Sequence, residues 1–149
     1  MPKTNQQVCL IGETLIDLVK QTDNSFRFYA GGSIFNSALT LGKFGISTYL
    51  ITPISNDYFG KFILAKLKCS NIVLDNIFTS SRGKTSLAFA FKDEQCNAEY
   101  SFYKDEIDIP ISFIKPELFI KSQLFHFGSY FALSQQNYIL VDHCLSLAK

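Results

Sequence analysis

The sequence predicts an α/β protein with a parallel main sheet. Its first apolar run, VCLIG at residues 8–12, is typical of a strand that is buried on both faces of a sheet. Farther along, strand-like and helix-like segments alternate, and that alternation is typical of parallel sheets. With 149 residues, 47% of them hydrophobic and 18% charged, the chain has the size and composition of one folded domain.

The segment after the first strand predicts a β-hairpin and then a helix. TLIDLVK and FRFYA show partial alternation of apolar and polar residues, and the turn-forming residues TDNS join them. A helical period begins at Ser33 and stops at Gly45, with an apolar stripe made by Ile34, Phe35, Ala38, Leu39 and Leu41.

The rest of the chain predicts a second strand–helix pair, a second hairpin and a final strand–helix pair. STYLITPI is typical of a strand, and NDYFGKFILAKLKCS of a helix that Asn56 or Asp57 caps. KTSLAFAFKD and AEYSFYKD predict a hairpin with Asn97 in its turn. QLFHFG predicts a buried strand, and SQQNYILVDHCLSLAK a capped amphipathic helix that runs to the last residue.

The charges and cysteines exclude several functional classes. The net charge is +1 and no block of like charges occurs, which argues against a nucleic-acid or membrane-surface partner. The four cysteines are widely spaced, so neither a zinc site nor a disulfide framework is expected. The polar start of the sequence and the lack of a long apolar run predict a cytoplasmic protein with reduced thiols and no membrane anchor.

Two features of the first hairpin and helix suit a small polar ligand. Gly31 and Gly32 let backbone amides approach a ligand at the N-terminus of the helix, where N–H groups are unpaired, and Asn36 adds a donor and an acceptor. The alternative is a plain tight turn before a helix. Asp17, inside the apolar run LIDLV, is a carboxylate that can accept two sugar hydroxyl hydrogen bonds, or else a solvent-facing strand residue.

Two other features carry no functional prediction. FTSSRGKTS imitates the end of a phosphate-binding P-loop, but Phe78 stands where the first glycine is required, and a strand follows instead of a helix. His126 lies between two phenylalanines in a strand that we expect to be buried, so we interpret it as a structural histidine.

Taken in order, six segments resemble the amino-terminal half of the ribokinase-like (PfkB) carbohydrate kinases, fructokinases and 2-keto-3-deoxygluconate kinases especially. They are GETLID, AGGSIFNSALTLGKFG, SNDYFG, KTSLAF, SFYKD and LFHFGS. The resemblance implies that residues 1–149 form the amino-terminal portion of a ribokinase-like domain, a three-layer α/β/α partial sheet. It also implies that segments of about 14–30 and 85–104 form a small β-lid.

The same resemblance implies the roles of individual residues. Asp17, Gly31, Gly32 and Asn36 are expected to contact sugar hydroxyls, and Lys104 to contact the substrate where the family often has arginine. Lysine keeps the charge of arginine but loses its bidentate geometry, which favours fructose over an acidic sugar. Ser55, before the Asp-x-Phe-Gly segment, also departs from the family's usual glycine.

The resemblance further implies ATP and Mg²⁺ as cofactors of the family. No Gly-Ala-Gly-Asp segment, which in the family supplies the anion hole and the general base, occurs in the sequence. We therefore expect the chain to be the sugar-binding half of a fructokinase-like kinase that is inactive alone. The alternatives are a non-catalytic sugar-binding or dimerising module, or a 2-keto-3-deoxygluconate kinase-like fragment.

The expected partners are a small sugar and either a second copy, paired through the lid, or a complementing carboxy-terminal half. A partial sheet leaves an edge and apolar helix faces uncovered, so the chain is also expected to be marginally stable or oligomeric.

Overall fold

A computed structural model describes residues 6–92, 95 and 97–148. The strands are β1 (Gln7–Ile11), β2 (Leu15–Lys20), β3 (Phe26–Gly31), β4 (Ser47–Ser55), β5 (Ile72–Val73), β6 (Ile77–Ser80), β7 (Leu87–Lys92), β8 (Ala98–Tyr103) and β9 (Leu124–Phe127). The helices are α1 (Ser33–Lys43), α2 (Tyr58–Lys68), α3 (Glu117–Lys121), α4 (Ser129–Leu133) and α5 (Gln135–Leu147), with a 3-10 turn at Ile111–Phe113.

The main sheet is parallel and has the order β5-β4-β1-β9. The short strand β6 continues the same edge and pairs with the carboxyl-terminal part of β4. The predicted central position of the first strand is confirmed, since β1 pairs with β4 on one side and β9 on the other. Its buried residues explain why the VCLIG run is apolar throughout.

Helices cover both faces of the main sheet, which gives the predicted three layers. On the first face, α1 and α2 pack on Val8, Leu10, Leu50 and Ile54. On the second face, α3, α4 and α5 pack on residues that point the other way, among them Cys9, Ile11 and Ile51. Alternate residues of one strand therefore belong to two separate cores.

A small sheet of order β3-β2-β7-β8 stands beside the main one. Each of the two predicted hairpins is present, β2 with β3 and β7 with β8. They join through a parallel pairing of β2 with β7, so that residues 71 positions apart in the sequence are neighbours in one sheet. Phe28 of this sheet contacts Phe59 and Phe62 of α2, which seats the small sheet on the first face of the main one.

Three details of the sequence prediction need correction or comment. The predicted buried strand QLFHFG is instead an edge strand, and His126 in it is exposed, because β9 has β1 on one side and no partner on the other within the described residues. Helix α5 ends at Leu147, and its predicted cap residue, Ser134, makes no side-chain cap bond. Part of the predicted EQCN turn lies outside the described residues.

Candidate functional site

Asp17 and Gly31 lie against each other in the small sheet. A Cβ added at Gly31 would lie 2.0 Å from Oδ2 of Asp17, so the carboxylate occupies the space that a side chain would take. Burial raises the pKa of the Asp17 carboxyl group, because a partly desolvated site disfavours the charged form. The pair thus presents a half-buried carboxylate beside bare backbone.

Gly32 places this backbone at the N-terminus of α1. Its φ is 113°, in the region that glycine favours, and an added Cβ would lie 2.6 Å from the carbonyl oxygen of Glu13. Gly32 is the N-cap of α1 and no side chain caps the helix there. The N–H groups of the first turn therefore remain available to a ligand.

Asn36 follows one helical turn later. Its backbone N–H donates to the carbonyl oxygen of Gly32 over 2.9 Å, as in a regular helix. Its side chain is exposed and lines a groove between α1 and β9 that also contains His126. Asn36 is thus on the open side of the helix N-terminus, next to Gly32.

Lys104 lies on the same face of the small sheet as Asp17. Asp17 is opposite Ala88, and Ala88 is opposite Phe102, so all three side chains share one face. Lys104 is on this face too, with its Nζ 5.6 Å from the centre of the Phe102 ring. The strands that carry Asp17 and Phe102 are two strand spacings apart, about 10 Å.

The ammonium group of Lys104 is held by an aromatic ring that sequence reasoning missed. Nζ lies 4.2 Å from the centre of the Tyr130 ring, and Tyr130 also contacts Phe102. Tyr130 comes from α4, which follows β9, so this contact joins the small sheet to the second face of the main sheet. An exposed tyrosine after a Gly-Ser pair gives no local signal of such a contact.

Near Lys104, the base of the small sheet closes a cavity of about 80 Å³. Its wall includes Glu13, Thr85, Lys104 and Tyr130. Glu13 accepts a hydrogen bond from the hydroxyl of Ser129 over 2.5 Å, which ties the end of β1 to the start of α4. Asp17, Gly31, Gly32 and Asn36 do not line this cavity, and of the four only Asn36 lines the groove between α1 and β9.

Asp57 attaches the small sheet to α2. Its carboxylate accepts hydrogen bonds from the N–H of Gly60 over 2.8 Å, from the N–H of Thr85 over 2.8 Å and from the Thr85 hydroxyl over 2.7 Å. Burial alone raises the pKa of Asp57, but the bonds from Thr85 and Gly60 outweigh it and lower that pKa. The predicted cap residue of α2 therefore also anchors the segment that leads into β7.

Three further observations concern the described part of the chain. In the segment that imitates a P-loop, β6 ends at Ser80 and strand β7 follows, with no helix between them. Among residues 6–92, 95 and 97–148, no group of three or more His, Cys, Asp or Glu side chains is placed to hold a metal ion. In the same part of the chain, no helix has both the length and the apolar character of a membrane span.

The fold and the order of these segments match one family. The model of the pfkB family carbohydrate kinases matches residues 5–141. The chain belongs to this family. The fructokinase of Rhizobium leguminosarum bv. trifolii is 38% identical over 98 residues, which cover 63% of this chain and 29% of that protein. The 5-dehydro-2-deoxygluconokinase of Geobacillus kaustophilus is 30% identical over 84 residues, which cover 56% and 25%.

Solved structures of a fructokinase and of a sugar kinase share the fold. The fructokinase of Xylella fastidiosa superposes with a TM-score of 0.88 at 23% identity, covering 97% of this chain and 47% of that one. A sugar kinase of Pyrococcus horikoshii in complex with ATP gives 0.82 at 21% identity, covering 93% and 48%. The chain therefore spans about half the length of the solved structures it matches, and less than half of these curated relatives.

Proposed function

We propose that this chain is the sugar-binding half of a fructokinase-like carbohydrate kinase of the pfkB family. The observation that carries the proposal is the contact of Asp17 with Gly31 beside the uncapped N-terminus of α1. A sugar presents hydroxyl groups that both donate and accept hydrogen bonds. The carboxylate of Asp17 accepts from two such hydroxyls, and the N–H groups of α1 donate to others.

The glycines make this arrangement possible at close range. A side chain at position 31 would displace the Asp17 carboxylate, and one at position 32 would clash with the backbone at Glu13. The sugar ring therefore lies directly on the main chain, with Asn36 on its open side. Uncharged donors and acceptors dominate this set, which suits a neutral polyol.

The small sheet acts as the lid of this cleft. Its Asp17-bearing face also carries Phe102 and Lys104, with Phe102 two strands away from Asp17. An aromatic and a charged side chain over the sugar exclude water, and water would compete with the sugar hydroxyl for a transferred phosphoryl group. Asp57 and Thr85 hold the base of the lid on α2.

ATP and Mg²⁺ enter this proposal through the family, whose solved members include ATP complexes. The described residues offer no cluster of acidic side chains for a metal, so they do not fit a Mg²⁺ site of their own. Phosphoryl transfer also requires a general base near the accepting hydroxyl. The sequence has no Gly-Ala-Gly-Asp segment to supply one, so the proposal is that this chain alone binds sugar without transferring phosphate.

Fructose is the proposed sugar, and a keto-deoxy sugar acid is the competitor. The two kinds of relative, fructokinases and 5-dehydro-2-deoxygluconokinases, are both similar to this chain. Lys104 is the residue that would meet an acidic group, but its ammonium lies over Tyr130. We also infer a cytoplasmic location, where the free thiols of Cys9, Cys69 and Cys144 remain reduced.

The test is a calorimetric titration of the purified chain with D-fructose and, separately, with 2-keto-3-deoxygluconate. We expect saturable fructose binding that Asp17→Ala abolishes. The matched control is Asp23→Ala, which changes an exposed aspartate in the turn of the same hairpin and leaves binding unchanged. A folded chain that binds neither sugar, or that binds equally well after Asp17→Ala, would refute the proposal.

A further inference from the structure

Ser129 has a backbone conformation that is unfavourable for serine. Its φ is 66°, in the left-handed region, and this strain costs the folded state free energy. Among the described residues, Asn24 is the other non-glycine residue with a positive φ, and asparagine in a hairpin turn favours that conformation. Glycine would occupy position 129 with less strain. We therefore expect the serine side chain to have a use that offsets the cost.

The hydroxyl of Ser129 is oriented by Glu13. It donates a hydrogen bond to Oε1 of Glu13 over 2.5 Å. A hydroxyl has one hydrogen to donate and two lone pairs, so this bond uses its donor and leaves it able to accept. Glu13 adds a negative charge and a second carboxylate oxygen. Both side chains are half-buried, so the pair presents acceptors in a place that is partly shielded from water.

This pair lies at the carboxyl ends of two neighbouring strands. β1 pairs with β9 in parallel as far as Ile11 and Phe127. The segments that follow, 12–13 and 128–129, therefore leave the sheet at the same edge. The helix that follows β1 along the chain, α1, lies on the first face, whereas α4 follows β9 and lies on the second face. Helices that diverge in this way open a crevice at the strand ends, which is where open α/β sheets bind ligands.

The N-terminus of α1 lies directly on these strand ends. A Cβ added at Gly128, the residue before Ser129, would be 3.7 Å from the Ile34 side chain of α1. The carbonyl oxygen of Glu13 is 2.6 Å from the position of a Cβ added at Gly32. Glu13 therefore contacts Ser129 through its side chain and Gly32 through its backbone, and Gly32 belongs to the proposed sugar site.

We propose that Ser129 is a further sugar-binding residue, which Glu13 orients to accept a hydrogen bond from a sugar hydroxyl. The pair selects a ligand group that can donate, because Ser129 has no hydrogen left to offer. A carboxylate has no hydrogen to donate either, and the charge of Glu13 repels it. The crevice thus favours a neutral polyol over a sugar acid. This inference rests on the proposed function and assigns a determinant of its sugar preference.

The alternative is that the bond between Ser129 and Glu13 only holds α4 on the end of β1. Two substitutions separate these roles, because they change the backbone strain and the hydroxyl independently. Ser129→Ala removes the hydroxyl and keeps the strain, whereas Ser129→Gly removes the hydroxyl and relieves the strain. Each variant loses the same hydrogen bond, so the difference between them measures the backbone effect alone.

The test compares both variants with the parent chain in thermal unfolding and in calorimetric titration with D-fructose. We expect Ser129→Gly to melt about 2–4 °C above Ser129→Ala, because glycine adopts a positive φ freely. We expect both variants to bind fructose roughly three- to tenfold more weakly than the parent, since each lacks one hydrogen bond to the sugar. Because glycine fits the native backbone at this position, Ser129→Gly tests the inference even if Ser129→Ala does not fold.

Ser134→Ala is the matched control. The hydroxyl of Ser134, five residues after Ser129, also donates to a glutamate, to Oε1 of Glu106 over 3.4 Å. Loss of this hydroxyl should leave the fructose affinity unchanged. A further variant tests the preference for a neutral sugar. Glu13→Gln removes the charge and keeps an oxygen that accepts from Ser129. The ratio of fructose affinity to 2-keto-3-deoxygluconate affinity should therefore fall roughly threefold.

Three results would overturn this inference. These are parent-like fructose binding by both Ser129 variants, fructose binding that Ser129→Gly restores relative to Ser129→Ala, and a ratio of affinities that Glu13→Gln does not change. The second result would show a structural role, since affinity would then follow the backbone. In all three cases, fructose binding by the parent that Asp17→Ala abolishes would leave the proposed function intact. A folded parent chain that binds neither sugar would overturn both proposals.

Discussion

The carboxylate of Asp17 fills the space above Gly31 that a side chain of any other residue would occupy. Oδ2 lies 2.0 Å from the position of an added Cβ, well inside the contact distance of two atoms. The residues lie on neighbouring antiparallel strands, with Asp17 paired to Tyr29 and Leu15 paired to Gly31. The position of one side chain thus depends on the absence of the other.

Gly31→Ala should displace the Asp17 carboxylate and destabilise the chain. The added methyl group overlaps an oxygen in a half-buried place, and overpacking of this kind costs about 1–3 kcal/mol. Because the displaced carboxylate no longer faces the cleft, sugar binding should be lost as well. Chemical denaturation and calorimetry measure the two effects.

A double-mutant cycle with Asp17→Ala checks the cause. If the clash is with the carboxylate, Gly31→Ala should cost clearly less in the Asp17→Ala background, where a contact of 3.4 Å with Leu15 remains. Equal costs in both backgrounds would mean that Asp17 does not determine the requirement for glycine.

Asp17→Asn should stabilise the chain near neutral pH while weakening sugar binding. The pKa of Asp17 is raised in the folded state by burial, so the folded state disfavours the ionised carboxylate. The gain in the free energy of unfolding should therefore be present above the folded-state pKa. It should disappear as the pH falls below the unfolded-state value of about 4.

Urea denaturation across this pH range measures the effect. Asp23→Asn is the control, and it should change the free energy of unfolding in the opposite direction. Hydrogen bonds from Ser25 lower the pKa of Asp23, so the folded state favours its ionised form. If Asp17→Asn lowered stability at neutral pH, the ionised carboxylate would stabilise the sugar-free chain through a favourable interaction, and burial would not be its dominant effect.

Local patterns were sufficient to predict the main elements. The helical period from Ser33 and the stop near Gly45 match α1, and Asp57 was one of two residues expected to cap α2. These features depend on residues within a turn or two of each other. The doubly buried run of β1 also has a clear local signature, because its residues face a core on each side.

Contacts between distant segments were not predictable from the residues alone. No local pattern shows that β2 pairs with β7, or that Tyr130 lies over Lys104. The apolar run of β9 suggested burial because hydrophobicity indicates what a strand requires and not whether a neighbour covers it. The resemblance to a family predicted one lid from residues of about 14–30 and 85–104, and the pairing of β2 with β7 joins the two hairpins.

Asp57→Ala should loosen the small sheet from α2 and destabilise the chain by about 2–4 kcal/mol. The variant removes the cap of α2 and two hydrogen bonds from Thr85. Hydrogen bonds to a charged group contribute about 1.5–3 kcal/mol each, and water that hydrates the freed donors offsets part of the loss. Hydrogen exchange should show faster opening of β7 than of β1. Uniform faster exchange in both strands would contradict a specific anchoring role.

The contribution of Asp57 should also depend on pH. Its pKa is lowered in the folded state, so its stabilisation is present above the unfolded-state pKa of about 4 and is lost as the pH falls through the folded-state value. The parent chain and Asp57→Ala should therefore converge in stability in acid. A stability difference that did not change with pH would show that the ionised carboxylate is not responsible.

Cys9 and Cys144 should resist thiol reagents in the folded chain. Burial, with a smaller effect from Cys144, raises the pKa of the Cys9 thiol to about 12, and burial raises that of Cys144 to about 12. The thiolate is the reactive form, so both groups are almost entirely unreactive at neutral pH. In a Cys69→Ser/Cys96→Ser chain, labelling by a disulfide reagent should proceed at the rate of unfolding. Binding of a sugar to the folded state should slow the labelling in this chain, and it should not slow the labelling when the chain also carries Asp17→Ala. Rapid labelling without denaturant would contradict the prediction and show that the second face of the sheet opens readily.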